Sequence, residues 1–577
     1  MQQQDIHYQI EIADVHAHTF SVTLTVPRPA ALQIVSLPAW IPGSYLLREF
    51  ARQLSNLTAR QGTVDVPVQQ LDKATWQVPC AGDTPLELRY DVHAFDNSVR
   101  TAFLDAQRGF FNNTSLCLRV HGREQQAHRL RLTALPGGWQ VATAMSTSDD
   151  GWVAANYDEL VDHPFELGLF WQGDFTASGV RHRIVVSGAL PVFDGARLLA
   201  DAERICTAQI AFWGGVVPFD DYTFFLNAVG DGHGGLEHRA STALIAARRD
   251  LPRLGQTEIS DGYVRLLGLI SHEYFHSWNI KSLKPAEFAT MDYTQENYTE
   301  LLWFFEGFTS YFDELMLLRA GLIDAPRYLK LLAVTVSGVL ATPGRHVQSV
   351  AGASFDAWVK YYRPDENSPN STISYYGKGA LVALALDLRL RALGRHGIDD
   401  VMRGLWQRSA GGPIAEADIL AVVTDLGDAD TAQALSAWVH GTDDLPLPAL
   451  LEAAGVQWRA DKPNVAQCLG LRVSESALTG VQVKQVLAGS VAQMAGFCAA
   501  DEVLGCNDWR VRRLDDVTLT LAAGQSALRF LVSRDQRLIE LHLEWPPQDA
   551  APAPVLLSVA DSASPPAKDL RHAWLGA

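Results

Sequence analysis

Cysteine is scarce and shows no pairing pattern: six residues in 577 (Cys80, Cys117, Cys206, Cys468, Cys498 and Cys506), none in CxxC spacing. That argues against a disulfide framework and against a cysteine zinc site, and it favours a reducing compartment. No uninterrupted apolar run approaches the roughly 18 residues that a membrane span needs. The opening MQQQDIHYQIEIADVHAHTF places no basic stretch ahead of an apolar one, so no secretory leader is expected and the expected location is cytoplasmic. Basic blocks are missing too. The formal net charge is -18 and its acids are spread along the chain, which argues against nucleic acid or an anionic membrane as partner.

What is present reads as several globular domains. Hydrophobic residues make up 47% and charged residues 19%, and 577 residues exceed what one core organises. Residues 1–170 alternate short β-rich runs with turns, as in HYQIEI, FSVTLTVP and PLELRYDVHAF, and predict an all-β domain. Within it, LPAWIPGSYLLREFARQL (37–54) and AFDNSVRTAFLDAQRGFFNNTS (94–115) mix aromatics with polar residues and read as interface loops. Arg100, Asn112 and Asn113 there suit either substrate contact or tying loops together. Residues 171–335 predict an α+β region, 336–455 a helical one, and 456–546 a return to short strands around one helix. The Ala/Pro/Ser-rich residues 547–577 predict an extended tail, with Trp574 and Leu575 able to anchor its end.

The chemistry concentrates in ISHEYFHSWN (270–279). On a helix, His272 and His276 share a face and can aim both imidazoles at one ion, while Glu273 beside them reaches a metal-bound water. A motif this short also occurs in ordinary buried helices whose histidines are satisfied by hydrogen bonds. A catalytic zinc needs a third protein ligand. LLWFFEGFTSYFDEL offers Glu306 within an apolar helical stretch, where a lone carboxylate is costly to bury and a dication would offset the cost. The plain reading is a Glu306 that caps or pairs at a helix end; Asp313 and Glu314 are weaker ligand candidates.

HEYFHSWNIKSLKP, followed by DYTQENYTELLWFFEGFTSYFDELMLLRAGL and preceded by PAWIPGSYLLREFARQ, resembles the glycyl aminopeptidase family of PDZ-domain-containing zinc metallopeptidases, distant relatives of aminopeptidase N. The resemblance implies a thermolysin-like fold for 171–335, a PDZ-like domain for 456–546, and one zinc ion held by His272, His276 and Glu306. It implies Glu273 as general base and, in GDGHGGLEHRAST (230–242), an edge strand whose Glu237 holds the α-ammonium of a peptide. Gly234 and Gly235 let backbone approach that peptide closely, and His238 departs from the Asn usual in those relatives. It further implies Tyr376, in SYYGKGALVALAL, as the oxyanion stabiliser, with Tyr375 as the off-by-one alternative and Lys378 as structural.

The function so implied is a zinc aminopeptidase removing an N-terminal Gly or Ala from peptides with a free amino end. Two other readings stay open: an endopeptidase guided by its PDZ-like domain, and a non-catalytic peptide binder on a peptidase scaffold. The PDZ-like domain could itself take a peptide or protein C-terminus.

Overall fold

The computed structural model describes residues 4–394, 396–521, 526–546 and 553–576. The chain forms two compact units, Met1–Asn297 with Gly411–Pro413, and Tyr298–Ala410 with Ile414–Ala577. The boundary after Asn297 falls inside the 171–335 segment that the sequence groups together.

The first unit begins with an eight-stranded sheet in which β1 (Ile6–Asp14), β2 (Thr19–Val26) and β3 (Leu86–His93) lie side by side. Alternation decides which face is buried. Ile6, Tyr8 and Ile10 of β1, Val22 and Leu24 of β2, and Leu86, Leu88 and Tyr90 of β3 all point into one core. Two four-stranded sheets complete this β region, one of them containing β4 (Arg108–Asn112). The segment 94–115, expected as loop, is thus partly strand, because Phe110 and Phe111 are both buried and hold β4 in the core. A short helix, α1 (Tyr157–Val161), follows, with the Asn156 side chain accepting from the Glu159 N–H.

Next comes a five-stranded sheet of β5 (Trp171–Ala177), β6 (Val180–Ser187), β7 (Asp221–Val229), β8 (His233–Glu237) and β9 (Ser241–Ala247), in the spatial order β5-β6-β7-β9-β8. β6, β7 and β9 run parallel, and β8 is the antiparallel edge strand on β9. Two helices accompany the sheet, α2 (Gly195–Phe212) against β5 and α3 (Asp261–Phe275) against β8 and β9. Ser260 caps α3 by accepting from the Tyr263 N–H, and the Gln209 side chain of α2 donates to the Ser271 carbonyl at 2.8 Å. The end of α3 is thereby fixed over the edge strand.

The second unit is built on α4 (Leu302–Arg319) and α5 (Gly377–Ala392), which cross with backbone nearly touching backbone. A Cβ on Gly307 would lie 2.6 Å from the Gly379 Cα, so neither position tolerates a side chain. The residues after α5 form further short helices through Ala453. β10 (Val456–Ala460) departs from the expected C-terminal module and pairs with β12 (Val555–Val559) of the tail instead. The module proper has its own apolar core, including Leu471, Val481, Val503 and Phe530, under a six-stranded sheet in which β11 (Leu471–Ser476) is an edge.

The tail expected to run extended over 547–577 is instead ordered in its described part as β12 and a helix, α6 (Pro565–Leu575). Its composition misleads because one serine and one proline carry local signals: Ser564 is the N-cap and Pro565 the first helical residue. Trp574 is fully buried; its indole donates to the Tyr311 hydroxyl at 2.9 Å, and Tyr311 donates in turn to Asp387 at 2.6 Å. Arg391 closes the group, donating to Asp387 at 2.8 Å and to the Ala573 carbonyl. No described helix is long and apolar enough to cross a membrane. Replacing Trp574→Ala leaves a large cavity in this cluster, and urea unfolding followed by circular dichroism should show a loss of about 3–5 kcal/mol; Trp574→Phe should lose clearly less.

Candidate active site

The C-terminal turn of α3 supplies His272, Glu273 and His276, the apolar stripe before them (Leu266, Leu267, Ile270) being buried and orienting the helix. The two imidazole Nε2 atoms face each other at 2.9 Å, with ring centroids 4.5 Å apart and planes nearly perpendicular. On its other nitrogen, His276 Nδ1 lies 2.8 Å from the Asn279 carbonyl oxygen. A carbonyl can only accept, so Nδ1 carries the proton and Nε2 keeps its lone pair for a cation. This is the arrangement of a metal-binding histidine, in which the outer hydrogen bond fixes the tautomer.

β8 runs against this helix end. Gly235 lies so close that an added Cβ would sit 2.1 Å from Glu273 Oε1, so a side chain here would push the Glu273 carboxylate from its place. Two residues on, Glu237 is 4% exposed and Glu273 is 5% exposed. Ligand atoms of Glu237, Glu273 and His276 all lie within 4.8 Å of one another. Two carboxylates buried this close are relieved by a nearby cation or a shared proton, and Glu237 Oε1 has no hydrogen-bond partner among the described residues. Gly234 has φ +152, a conformation that L side chains rarely adopt.

Sequence reasoning missed a residue in this unit. Gly43, in the turn of WIPGSY, has φ +95 and packs on Glu237; a Cβ there would meet the Glu237 carboxylate at 2.4 Å. The signal was present as a Pro-Gly turn but nothing local names its distant partner. The turn is held by the Trp40 indole donating to the Asp292 carbonyl at 2.8 Å and by the Ala39 N–H donating to the Tyr293 carbonyl at 2.7 Å. Arg100, left undecided by the sequence, donates to the Gly235 carbonyl at 2.9 Å.

In the second unit, Glu306 is 2% exposed on α4, among buried Trp303, Phe304, Phe305 and Phe308. Tyr376 stands at the N-cap of α5 in a stack of Tyr361, Tyr362 and Tyr375, its hydroxyl 3.4 Å from that of Tyr362. Burial, and then the nearby Glu306 carboxylate, hold the Tyr376 phenol well above its ordinary value, so it stays protonated and able to donate. Tyr375 is fully buried. Lys378 is buried and donates to the Arg345 carbonyl at 3.4 Å, a structural position. Within the first unit the fold therefore brings together His272, His276, Glu273, Gly235 and Glu237, and within the second Glu306 and Tyr376.

Residues 7–169 match the Peptidase M61 N-terminal domain and residues 265–382 match M61 glycyl aminopeptidase. A crystal structure of an aminopeptidase N family protein from Idiomarina loihiensis is 37% identical, with a TM-score of 0.93 over 99% of this chain and 100% of that one. An M1 zinc metallopeptidase from Deinococcus radiodurans is 16% identical, with a TM-score of 0.46 over 77% of this chain and 94% of that one. No curated protein matches the chain. At 37% identity along nearly its whole length, and with both family segments in place, the chain belongs to the M61 glycyl aminopeptidase family and is a peptidase.

Proposed function

We propose that this peptidase is a zinc-dependent aminopeptidase that removes an N-terminal Gly or Ala from peptides with a free amino end. One observation carries the reading: Glu237, buried beside Glu273 and His276, presents a carboxylate oxygen with no hydrogen-bond partner among the described residues. A fixed, dehydrated carboxylate is an acceptor for an ammonium group, and an ammonium held there measures one residue toward the histidines.

The donors fit zinc. His272 and His276 offer Nε2 on one helix face, with the His276 tautomer set by the Asn279 carbonyl. Glu306 is the third ligand of a single ion, a role that its burial among aromatic rings supports. Zinc bound there supplies a Lewis acid and a water acidified toward neutrality. Glu273, whose carboxylate is packed against Gly235, takes one proton from the attacking water and returns it to the leaving amine nitrogen as the C–N bond breaks. Tyr376, protonated, donates to the carbonyl oxygen as negative charge builds on it. The glycine backbone at 234 and 235 on edge strand β8 lies alongside the peptide main chain.

In the C-terminal module, a second, non-catalytic role is assigned to the turn at Gly470, φ +73, ahead of edge strand β11: capture of a peptide or protein C-terminus in the manner of a PDZ domain. All six cysteines are free thiols, which supports a cytoplasmic location.

The test compares Gly- and Ala-initiated tripeptides with their N-acetylated forms, with and without a chelator. Hydrolysis of the free amines alone, lost on chelation and restored by zinc, is expected; equal hydrolysis of blocked peptides would remove Glu237 from its role. Glu273→Gln should lower kcat by about 100- to 10,000-fold with zinc content unchanged by elemental analysis. Tyr376→Phe should lower kcat by about 100- to 1,000-fold with little change in KM, whereas Tyr375→Phe should leave kcat nearly intact.

A further inference from the structure

Edge strand β8 is an insecure platform for a ruler. It contains two consecutive glycines, it has a hydrogen-bonded neighbour on one side only, and yet Glu237 must stand at a fixed distance from α3. Adjacent asparagines at the end of β4, both fully buried, organise what holds it. The Asn112 side-chain amide donates to the Val99 carbonyl at 2.9 Å and the Thr101 carbonyl at 3.3 Å, bracketing Arg100, whose guanidinium holds the Gly235 carbonyl. The Asn113 amide donates to the Leu160 carbonyl at 2.8 Å and the His163 carbonyl at 3.1 Å, bracketing the segment that carries Asp162.

Asp162, 9% exposed, then reaches both parts of the site. Its Oδ2 accepts from the Arg239 N–H at 2.8 Å, two residues past Glu237. Its Oδ1 accepts from Lys281 Nζ at 3.2 Å and faces His238 Nδ1 at 3.7 Å. The Lys281 backbone N–H in turn donates to the His276 carbonyl at 3.0 Å. One buried carboxylate thus ties the end of the Glu237 strand to the loop that leaves the histidine helix. Burial alone would raise its pKa, but Lys281 and Arg239 outweigh burial and hold it well below the usual carboxylate range. The ion pair is therefore intact at neutral pH.

We propose that Asp162 is a positioning residue for recognition of the substrate amino group, setting through Arg239 and Lys281 the distance between Glu237 and α3. It touches no substrate. The inference rests on the reading of Glu237 as the ammonium acceptor. It also gives a reason for His238, the departure from the Asn usual at that position, because an imidazole there faces the same carboxylate.

The test uses the full-length, zinc-loaded protein. Asp162→Asn keeps the size of the side chain and an acceptor for the Arg239 N–H but loses the charge that holds Lys281. Its KM for a free-amine glycyl tripeptide should rise about tenfold or more while kcat and zinc content change little, since a merely structural defect would reduce the active fraction and leave KM alone. Lys281→Met should give a comparable rise, and the double variant little more than either. On a Glu273→Gln background, where turnover is blocked, calorimetry with triglycine should show the same loss in Kd. A KM and Kd within about twofold of the parent in folded, zinc-loaded Asp162→Asn would overturn the proposal; if that variant fails to fold, the same result for Lys281→Met would do so. Failure of the underlying reading looks different: the parent enzyme itself would then cleave acetylated and free peptides equally.

Discussion

The first unit is organised around two carboxyl groups buried side by side. Glu237 and Glu273 lie with His276 inside a 4.8 Å cluster, almost wholly out of solvent, and like charges in low dielectric repel strongly. Among the described residues none gives Glu237 Oε1 a hydrogen-bond donor. The fold keeps the two carboxylates in place with backbone, Gly235 against one and Gly43 against the other. A bound cation relieves such a pair, and the proposed function would supply two, a metal and a substrate ammonium.

The second unit meets its own constraint in the same way. α4 and α5 approach through Gly307 and Gly379, which places the N-cap of α5, Tyr376, where its phenol feels the Glu306 carboxylate of α4. Glu306 and Tyr311 lie on one helix, and the Tyr311–Asp387–Arg391 group that Trp574 completes fixes the middle of that helix. The tail buries an indole against the helix that carries Glu306.

Legibility in the sequence followed the range of the physics. The histidine pair is local, since period 3.6 puts residues four apart on one face, and the buried position of Glu306 followed from its aromatic neighbours. The edge strand with its glycines was readable for a similar reason. Asp162 was not: its meaning depends on Arg239 and Lys281, which lie 77 and 119 residues away in the chain. Gly43 was equally opaque, because a Pro-Gly turn is common and its contact with Glu237 arises only in the folded chain. β10 and the tail were misassigned for the converse reason. Composition spoke for a separate module and a loose end, while the pairing of Val456–Ala460 with Val555–Val559 is a long-range event with no local trace.

The same close approaches bear on how selectivity is built. A pocket wall made of side chains widens when one is trimmed, but the surface beside Glu237 is backbone: Gly43 in a left-handed turn that no L side chain adopts without strain. That turn is fastened at Ala39 and Trp40 to the Asp292–Tyr293 segment of the same unit. Under the proposed function, a bulky first side chain directed toward this surface would meet a fixed main chain that trimming cannot move. The proposed preference for small first residues would then need no dedicated selectivity side chain. It would follow from anchoring the amino group where Gly43 already brings backbone close.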